Sequence, residues 1–148
     1  MVAKLCKTCA TCIQEDQLVL LADNTTCHIN ELCEDDIILG FDIITKTIKP
    51  QRVKTIKRTE GVLVTKYEHP TNPIICTPNH NALNWKYDWV EFDKCFEHKL
   101  CLIDPVSYVI SMVDIPSMVY IRQPAVVYNL KTELGNFIVN GYIVKGAN

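Results

Sequence analysis

Short apolar runs alternate with polar breaks along almost the whole chain. Residues 17–22 (QLVLLA) form one run, closed by the turn composition Asp23-Asn24-Thr25. Residues 37–41 form another, followed by Asp42 and a polar, hairpin-like stretch around Thr45-Lys46-Thr47. Residues 52–57 alternate charged positions with apolar or threonine positions, the two-residue period of a half-buried strand. Runs at 62–65 and 74–76 are separated by Pro70, Asn72 and Pro73, and runs at 100–103, 108–113, 126–130 and 136–144 complete the set. Within the last, Val139-Asn140-Gly141-Tyr142 reads as a turn entering a strand. These runs are short, β-branched and closely spaced, which predicts an all-β domain. Only two single helical turns are predicted, at 29–34 and 91–96.

The chain also echoes itself. Residues 29–39 (INELCEDDIIL) and 90–103 (VEFDKCFEHKLCLI) share one form: an amphipathic turn, a charged break, then an apolar strand. Two such halves predict a pseudo-twofold β-fold.

Composition narrows the class. A chain of 148 residues fits one domain and can fold without a metal or disulfide. With 48% hydrophobic and 22% charged residues it is globular rather than disordered. A net charge of −2 gives no strong attraction to nucleic acid or anionic lipid, so neither is an expected partner. No apolar run approaches the ~18 residues of a membrane span, and residues 1–10 lack the apolar core of a signal peptide. A soluble, intracellular, cytoplasmic monomer is expected. The eight cysteines are then expected as thiols used for packing, metal or nucleophilic chemistry, rather than as four disulfides.

Three places carry candidate chemistry. In Cys76-Thr77-Pro78-Asn79-His80 a strand ends and a tight turn follows. A hydroxyl three residues before an imidazole can converge on one carbonyl, which suits acyl transfer. Taken alone, a surface turn with an incidental histidine accounts for the segment better. Cys12 stands just before an apolar strand, where a nucleophile needs a nearby base. Asn148 carries a side-chain amide able to attack its own backbone carbonyl and cleave the chain.

In order along the chain, these pieces resemble a known family. Residues 12–23 (CIQEDQLVLLAD), with 29–32, 36–39 and Asp42, resemble the N-terminal motif of inteins and other Hint (hedgehog/intein) domains. Cys76-Thr77-Pro78-Asn79-His80 resembles the family's Thr-x-x-His motif. Residues 89–92 (WVEF) fall where a Trp-Val segment follows it. Residues 127–130 (VYNL), Asn136-Phe137 and residues 140–144 (NGYIV) resemble the C-terminal motif. Four motifs span 12–148. The closest resemblance by size is to mini-inteins and bacterial intein-like domains, with no room for a homing endonuclease.

The resemblance implies a compact, pseudo-twofold β horseshoe occupying residues 12–148, with 1–11 as the remains of a flanking polypeptide. It implies autocatalytic splicing or cleavage, a single-turnover rearrangement whose partners are covalently attached flanks. Cys12 attacks the Thr11 carbonyl to give a thioester, Thr77 and His80 polarise and protonate that peptide, and Asn148 cyclises. The host protein then sets the location. Some positions depart from the pattern. Ala147 stands where the family usually has a histidine, Gly135 where a second histidine often lies, and Asn129 where an acidic residue is common. Lys145 and Gly146 read as extra residues after the last strand, and Lys145 as the nearest remaining donor. A shifted first motif makes Cys6 or Cys9 the nucleophile instead.

Metal-ligand spacing recurs in Cys6-x-x-Cys9-x-x-Cys12 and Cys95-x-x-His98-x-x-Cys101, with Cys27-His28 close to Cys33. Thiolate and imidazole suit zinc. Core packing also accounts for Cys95 and Cys101. No cofactor is required; zinc is read as an inhibitor or ligand at Cys6, Cys9, Cys12 and His80. The rival readings are a non-catalytic zinc-binding β-module and a plain β-rich interaction domain.

Overall fold

The computed structural model describes residues 11–147. The strands are short: β1 (Ile13–Gln14), β2 (Leu18–Leu20), β3 (Thr26–His28), β4 (Ile37–Asp42), β5 (Thr47–Val62), β6 (Thr65–Glu68), β7 (Ile74–Cys76) and β8 (Asn81–Leu83). They continue as β9 (Trp89–Glu91), β10 (Leu100–Ile103), β11 (Ile110–Val113), β12 (Ser117–Tyr120), β13 (Ala125–Thr132), β14 (Asn136–Val139) and β15 (Tyr142–Lys145). The two expected helical turns are 3-10 turns, at Ile29–Glu31 and Phe92–Glu97. The fold is all-β, as the pattern predicts. The structure adds β1, β3, β8, β9 and β12, whose segments form no apolar run that stands out in sequence.

One sheet has the order β12-β6-β7-β1-β13-β5-β4. The other has the order β11-β10-β15-β14-β2-β3, with β8 and β9 added beside β15. The sixteen-residue β5 is much longer than the predicted 52–57 strand. Its first half pairs with β4 and its second half with β13. Pro50 is tolerated because β13 pairing begins only at Val53, so its missing N–H faces no ladder partner.

The internal echo is a structural repeat. Asn24 and Tyr87 both take positive φ (71° and 63°) in the turns that follow β2 and β8. Asp42 ends β4 and Asp104 directly follows β10, and each carboxylate accepts two backbone N–H groups of the following turn. Lys46 and Tyr108 close those turns, again at positive φ. The two halves thus share strand, turn, 3-10 turn and strand, in the same order.

Between the sheets, Phe92 packs tilted against Tyr67 at 5.2 Å and edge-to-face against Tyr142 at 5.8 Å, within a core that includes Ile13, Ile29, Ile38 and Phe137. Asn136 bonds both ways to the Phe41 backbone at 2.8 Å, tying β14 to β4, and its own carbonyl accepts from the Gln51 amide at 2.6 Å. Asn140 (φ 50°) and Gly141 (φ 91°) make the hairpin turn between β14 and β15, the conformation Asn-Gly favours. The Asn140 amide also reaches Leu18 N–H, Gln17 and the Pro73 carbonyl. Asn136 and Asn140 therefore tie the β14–β15 hairpin to β4, β5, β2 and the loop before β7. No helix among the described residues is long and apolar enough to cross a membrane.

Candidate active site around the Thr11–Cys12 peptide

The strand β1 begins immediately after Cys12. Ile13 pairs with Tyr128 of β13 on one side and with Cys76 of β7 on the other. Thr77, the first residue past β7, is thereby set beside Cys12. Its backbone N–H donates to the Cys12 carbonyl at 3.0 Å. Its Oγ1 accepts the Cys12 N–H at 3.0 Å and reaches the Cys12 carbonyl at 3.3 Å as a donor. Thr77 therefore holds the nitrogen side of the Thr11–Cys12 bond. On the carbonyl side, Asn129 Nδ2 donates to Thr11 O at 2.6 Å. Cys12 itself is buried, packed with Val62, Val64 and Val127.

His80 closes the turn begun at Thr77, donating its N–H to the Thr77 carbonyl at 3.1 Å. Its ring is 0% exposed. Nε2 lies 2.9 Å from the Lys145 carbonyl, and a carbonyl only accepts, so Nε2 carries the proton and Nδ1 is bare. Nδ1 has no hydrogen-bond partner among the described residues. Burial holds the imidazole down at about 4; the Lys145 and Thr11 carbonyls pull the other way, more weakly. At neutral pH the ring is uncharged. One expectation changes: the sequence offers His80 as a surface turn residue, yet its turn tucks it fully into the interior. In the resting tautomer Nδ1 carries a lone pair, so the ring gains a proton before it donates to the scissile amide.

The C-terminal segment runs into the same place. Gly146 N–H donates to the Gly135 carbonyl at 2.9 Å, and Ala147 N–H to the Leu130 carbonyl at 2.8 Å. Thr11 and Ala147 are thus held by adjacent residues of β13, Asn129 and Leu130. Lys145 is not an extra linker residue: it ends β15, paired with Asn136, and its side chain is exposed. Its carbonyl, not its ammonium, meets the site. Gly135, where the family often has a histidine, takes φ 77° in the β13–β14 turn, a conformation that favours glycine. Asn148, Cys6 and Cys9 lie outside the described residues.

Of the metal spacings, Cys6-x-x-Cys9-x-x-Cys12 falls mostly outside the described residues, and Cys95-x-x-His98-x-x-Cys101 does not converge. Among the described residues, no three His, Cys, Asp or Glu side chains are grouped to hold an ion. Cys95 and Cys101 face two different hydrophobic clusters, so their six-residue separation gives no shared site. Burial pushes their thiols up to about 12 and about 11, and Cys101 Sγ donates to the Asn84 carbonyl at 3.2 Å. Cys76 is likewise pushed well up by burial. Cys95 and Cys101 are packing residues, as the alternative reading holds, and Cys76 is buried in the same core as Cys95. Cys33 and His28 are exposed and Cys27 is half-buried.

Asn129 is the residue that sequence reasoning undervalues. Counted there as a lost acid, it makes a direct contact with the Thr11 carbonyl. The available signal is a polar residue at a buried position of an apolar strand, in Val127-Tyr128-Asn129-Leu130.

The sheet order, the repeated halves and the meeting of both chain ends define the Hint fold, shared by inteins and intein-like domains. Among solved structures, the chain is similar to the DnaB intein from Synechocystis sp. PCC 6803, with a TM-score of 0.81 and 24% identity over 93% of this chain and 99% of that one. It is similar to the DnaX mini intein from Spirulina platensis, with a TM-score of 0.76 and 19% identity over 91% and 99%. It is also similar to the bacterial intein-like domain from Clostridium thermocellum, with a TM-score of 0.76 and 16% identity over 93% and 99%. No protein-family model and no curated protein matches the sequence.

Proposed function

We propose that this chain is a self-processing domain that rearranges the Thr11–Cys12 peptide bond and then cleaves at Asn148. One observation carries the reading: the two ends of the domain meet at His80. Its Nε2 reaches the Lys145 carbonyl at 2.9 Å, and the Thr11 carbonyl is near enough to the ring to favour its protonation. A single buried base then serves both junctions.

In this scheme the bare Nδ1 of His80 takes the thiol proton of Cys12, and Sγ attacks the Thr11 carbonyl carbon. The tetrahedral intermediate collapses as the C–N bond breaks. His80, now protonated, returns the proton to the departing Cys12 nitrogen, which Thr77 holds in place. The product is a thioester between Thr11 and Cys12 Sγ, with the Cys12 amine free. An added thiol, or a nucleophile following Asn148, takes over the acyl group. The Asn148 side-chain nitrogen then attacks its own carbonyl carbon, giving a succinimide and freeing the amine of the C-terminal flank. Placing a neutral base in a dry site agrees with acid–base catalysis by a group that must both accept and return a proton.

The test is a precursor carrying known polypeptides at both ends, treated with dithiothreitol and followed by intact mass. Cleavage is expected between Thr11 and Cys12, and is expected to vanish in Cys12→Ala. Cleavage before Cys6 or Cys9, or cleavage that persists in Cys12→Ala, overturns the assignment.

A further inference from the structure

We infer that Asn129 is the oxyanion donor for the Thr11 carbonyl, a catalytic residue whose amide keeps that donor available at every pH. The inference rests on the proposed acyl shift at Thr11, and it begins from the way the β1–β13 ladder ends. Ile13 pairs with Tyr128, so the next position along would set Cys12 opposite Asn129. The ladder stops there, and a side chain takes over.

Within β13, Val126 presents its carbonyl to Glu15 on the β1 side. Alternation along a strand turns the Leu130 backbone groups to that same side. Both are already used. The Leu130 N–H donates to Asn129 Oδ1 at 2.8 Å, and the Leu130 carbonyl accepts from Ala147 N–H at 2.8 Å. No backbone donor of Leu130 remains for Thr11, and Asn129 Nδ2 supplies one at 2.6 Å.

The same network fixes which way the amide points. An N–H can face only an acceptor, so the atom against Leu130 N–H is the oxygen and the atom against Thr11 O is the nitrogen. Asn129 is 2% exposed, so water neither competes for the contact nor screens it. A fixed dipole aimed at an oxygen that gains negative charge, inside a dry site, is the arrangement that stabilises a tetrahedral intermediate. The Thr77 hydroxyl, by contrast, meets the nitrogen and the carbonyl of Cys12.

Chemistry at this position is sensitive to one atom. In Asn129→Asp, one oxygen still accepts from Leu130 N–H. The other meets the Thr11 carbonyl oxygen and donates only when protonated. Burial raises a carboxyl's pKa, so the substituted group titrates within an accessible range.

The experiment measures dithiothreitol-dependent cleavage at Thr11–Cys12 in the native precursor, Asn129→Ala, Asn129→Asp and Cys12→Ala, between about pH 5 and 9. Losing one oxyanion donor is expected to slow Asn129→Ala by about 10²–10³-fold at every pH. Asn129→Asp is expected to match that loss at alkaline pH and to recover toward the native rate as the pH falls. A merely structural role predicts no such limb in the ratio of the Asp variant to the native rate.

A second readout needs no catalysis and no variant. Labelling with carbonyl-13C threonine and 15N cysteine leaves only the Thr8–Cys9, Thr11–Cys12 and Thr26–Cys27 bonds visible in a carbonyl-correlated spectrum. The Thr11 carbonyl is expected downfield, and in a second sample carrying side-chain 15N asparagine one Asn129 amide proton is expected downfield and slow to exchange. Cleavage at native rates in both Asn129 variants, or an Asn129 amide with free-solvent shifts, overturns the inference. If Cys12→Ala cleaves like the native precursor, the acyl-shift reading fails instead, and the Thr11–Asn129 contact is judged by the spectrum alone.

Discussion

The buried imidazole of His80 makes folding stability depend on acidity in a calculable way. In the folded chain its proton affinity is held at about 4, against 6.5 for an unburied histidine. The unfolded chain therefore takes up a proton that the folded chain refuses. Stability contributed by the neutral ring is complete above 6.5, falls as the pH drops through the interval down to about 4, and loses nothing further below it. At about 1.4 kcal/mol per pH unit, the loss is about 3 kcal/mol, a large share of the 5–15 kcal/mol typical of a domain. Carboxylates add their own acid loss. Asp42, held at about 2 by its hydrogen bond from Lys49, is one. A paired comparison removes their contribution. The reference is His80→Gln, which can still donate to the Lys145 carbonyl but cannot titrate, with both chains in a Cys12→Ala background to prevent processing. Urea unfolding across this range is the assay. The native ring should lead at neutral pH, and its lead should shrink by about 3 kcal/mol on reaching pH 4. Parallel curves would refute the reasoning, because they would mean that His80 protonates freely inside the fold.

Two further outcomes concern processing. Zinc added to the precursor is expected to halt cleavage at Thr11–Cys12 by bridging the Cys12 thiolate and the bare nitrogen of His80; chelator should restore it, and the inhibition should weaken at lower pH, where protons compete for both ligands. An unchanged rate in excess zinc rules this out. At the other end, Ala147 offers no side-chain donor, so release at Asn148 should lag the thioester step and N-terminally cleaved or branched species should accumulate on intact-mass analysis. Ala147→His should recover part of the ~10²–10⁴-fold that an acid–base group supplies, and Asn148→Ala should abolish release while leaving thiolysis intact. Fast release in the unmodified chain, with no gain from Ala147→His, contradicts that account.

The class of fold is legible along the chain. Runs such as Ile37-Ile38-Leu39 and Ile74-Ile75-Cys76 are β-branched and short, and that local preference survives into β4 and β7. The repeat was legible too, in the shared form of residues 29–39 and 90–103, and the structure adds that Asp42 and Asp104 build the same turn after each copy. Asn140-Gly141 announced its hairpin through the positive φ such a turn requires. These features depend on neighbours in the chain, and so they can be read along it.

Tertiary structure alone decided what depends on pairing across the chain. β8 and β9 are strands because they add to β15 and to each other, not because Asn81-Ala82-Leu83 or Trp89-Val90-Glu91 prefers to be extended. Cys95 and Cys101 look like ligands along the chain, but strand and turn geometry sends them to different cores. His80 reads as a surface turn residue until the C-terminal strand covers it with the Lys145 carbonyl, sixty-five residues away. Asn129 reads as a lost acid until β13 sets its amide against a carbonyl 118 residues earlier. A side chain's pKa, tautomer and donor role follow from what surrounds it, and those surroundings come from segments that only folding brings together.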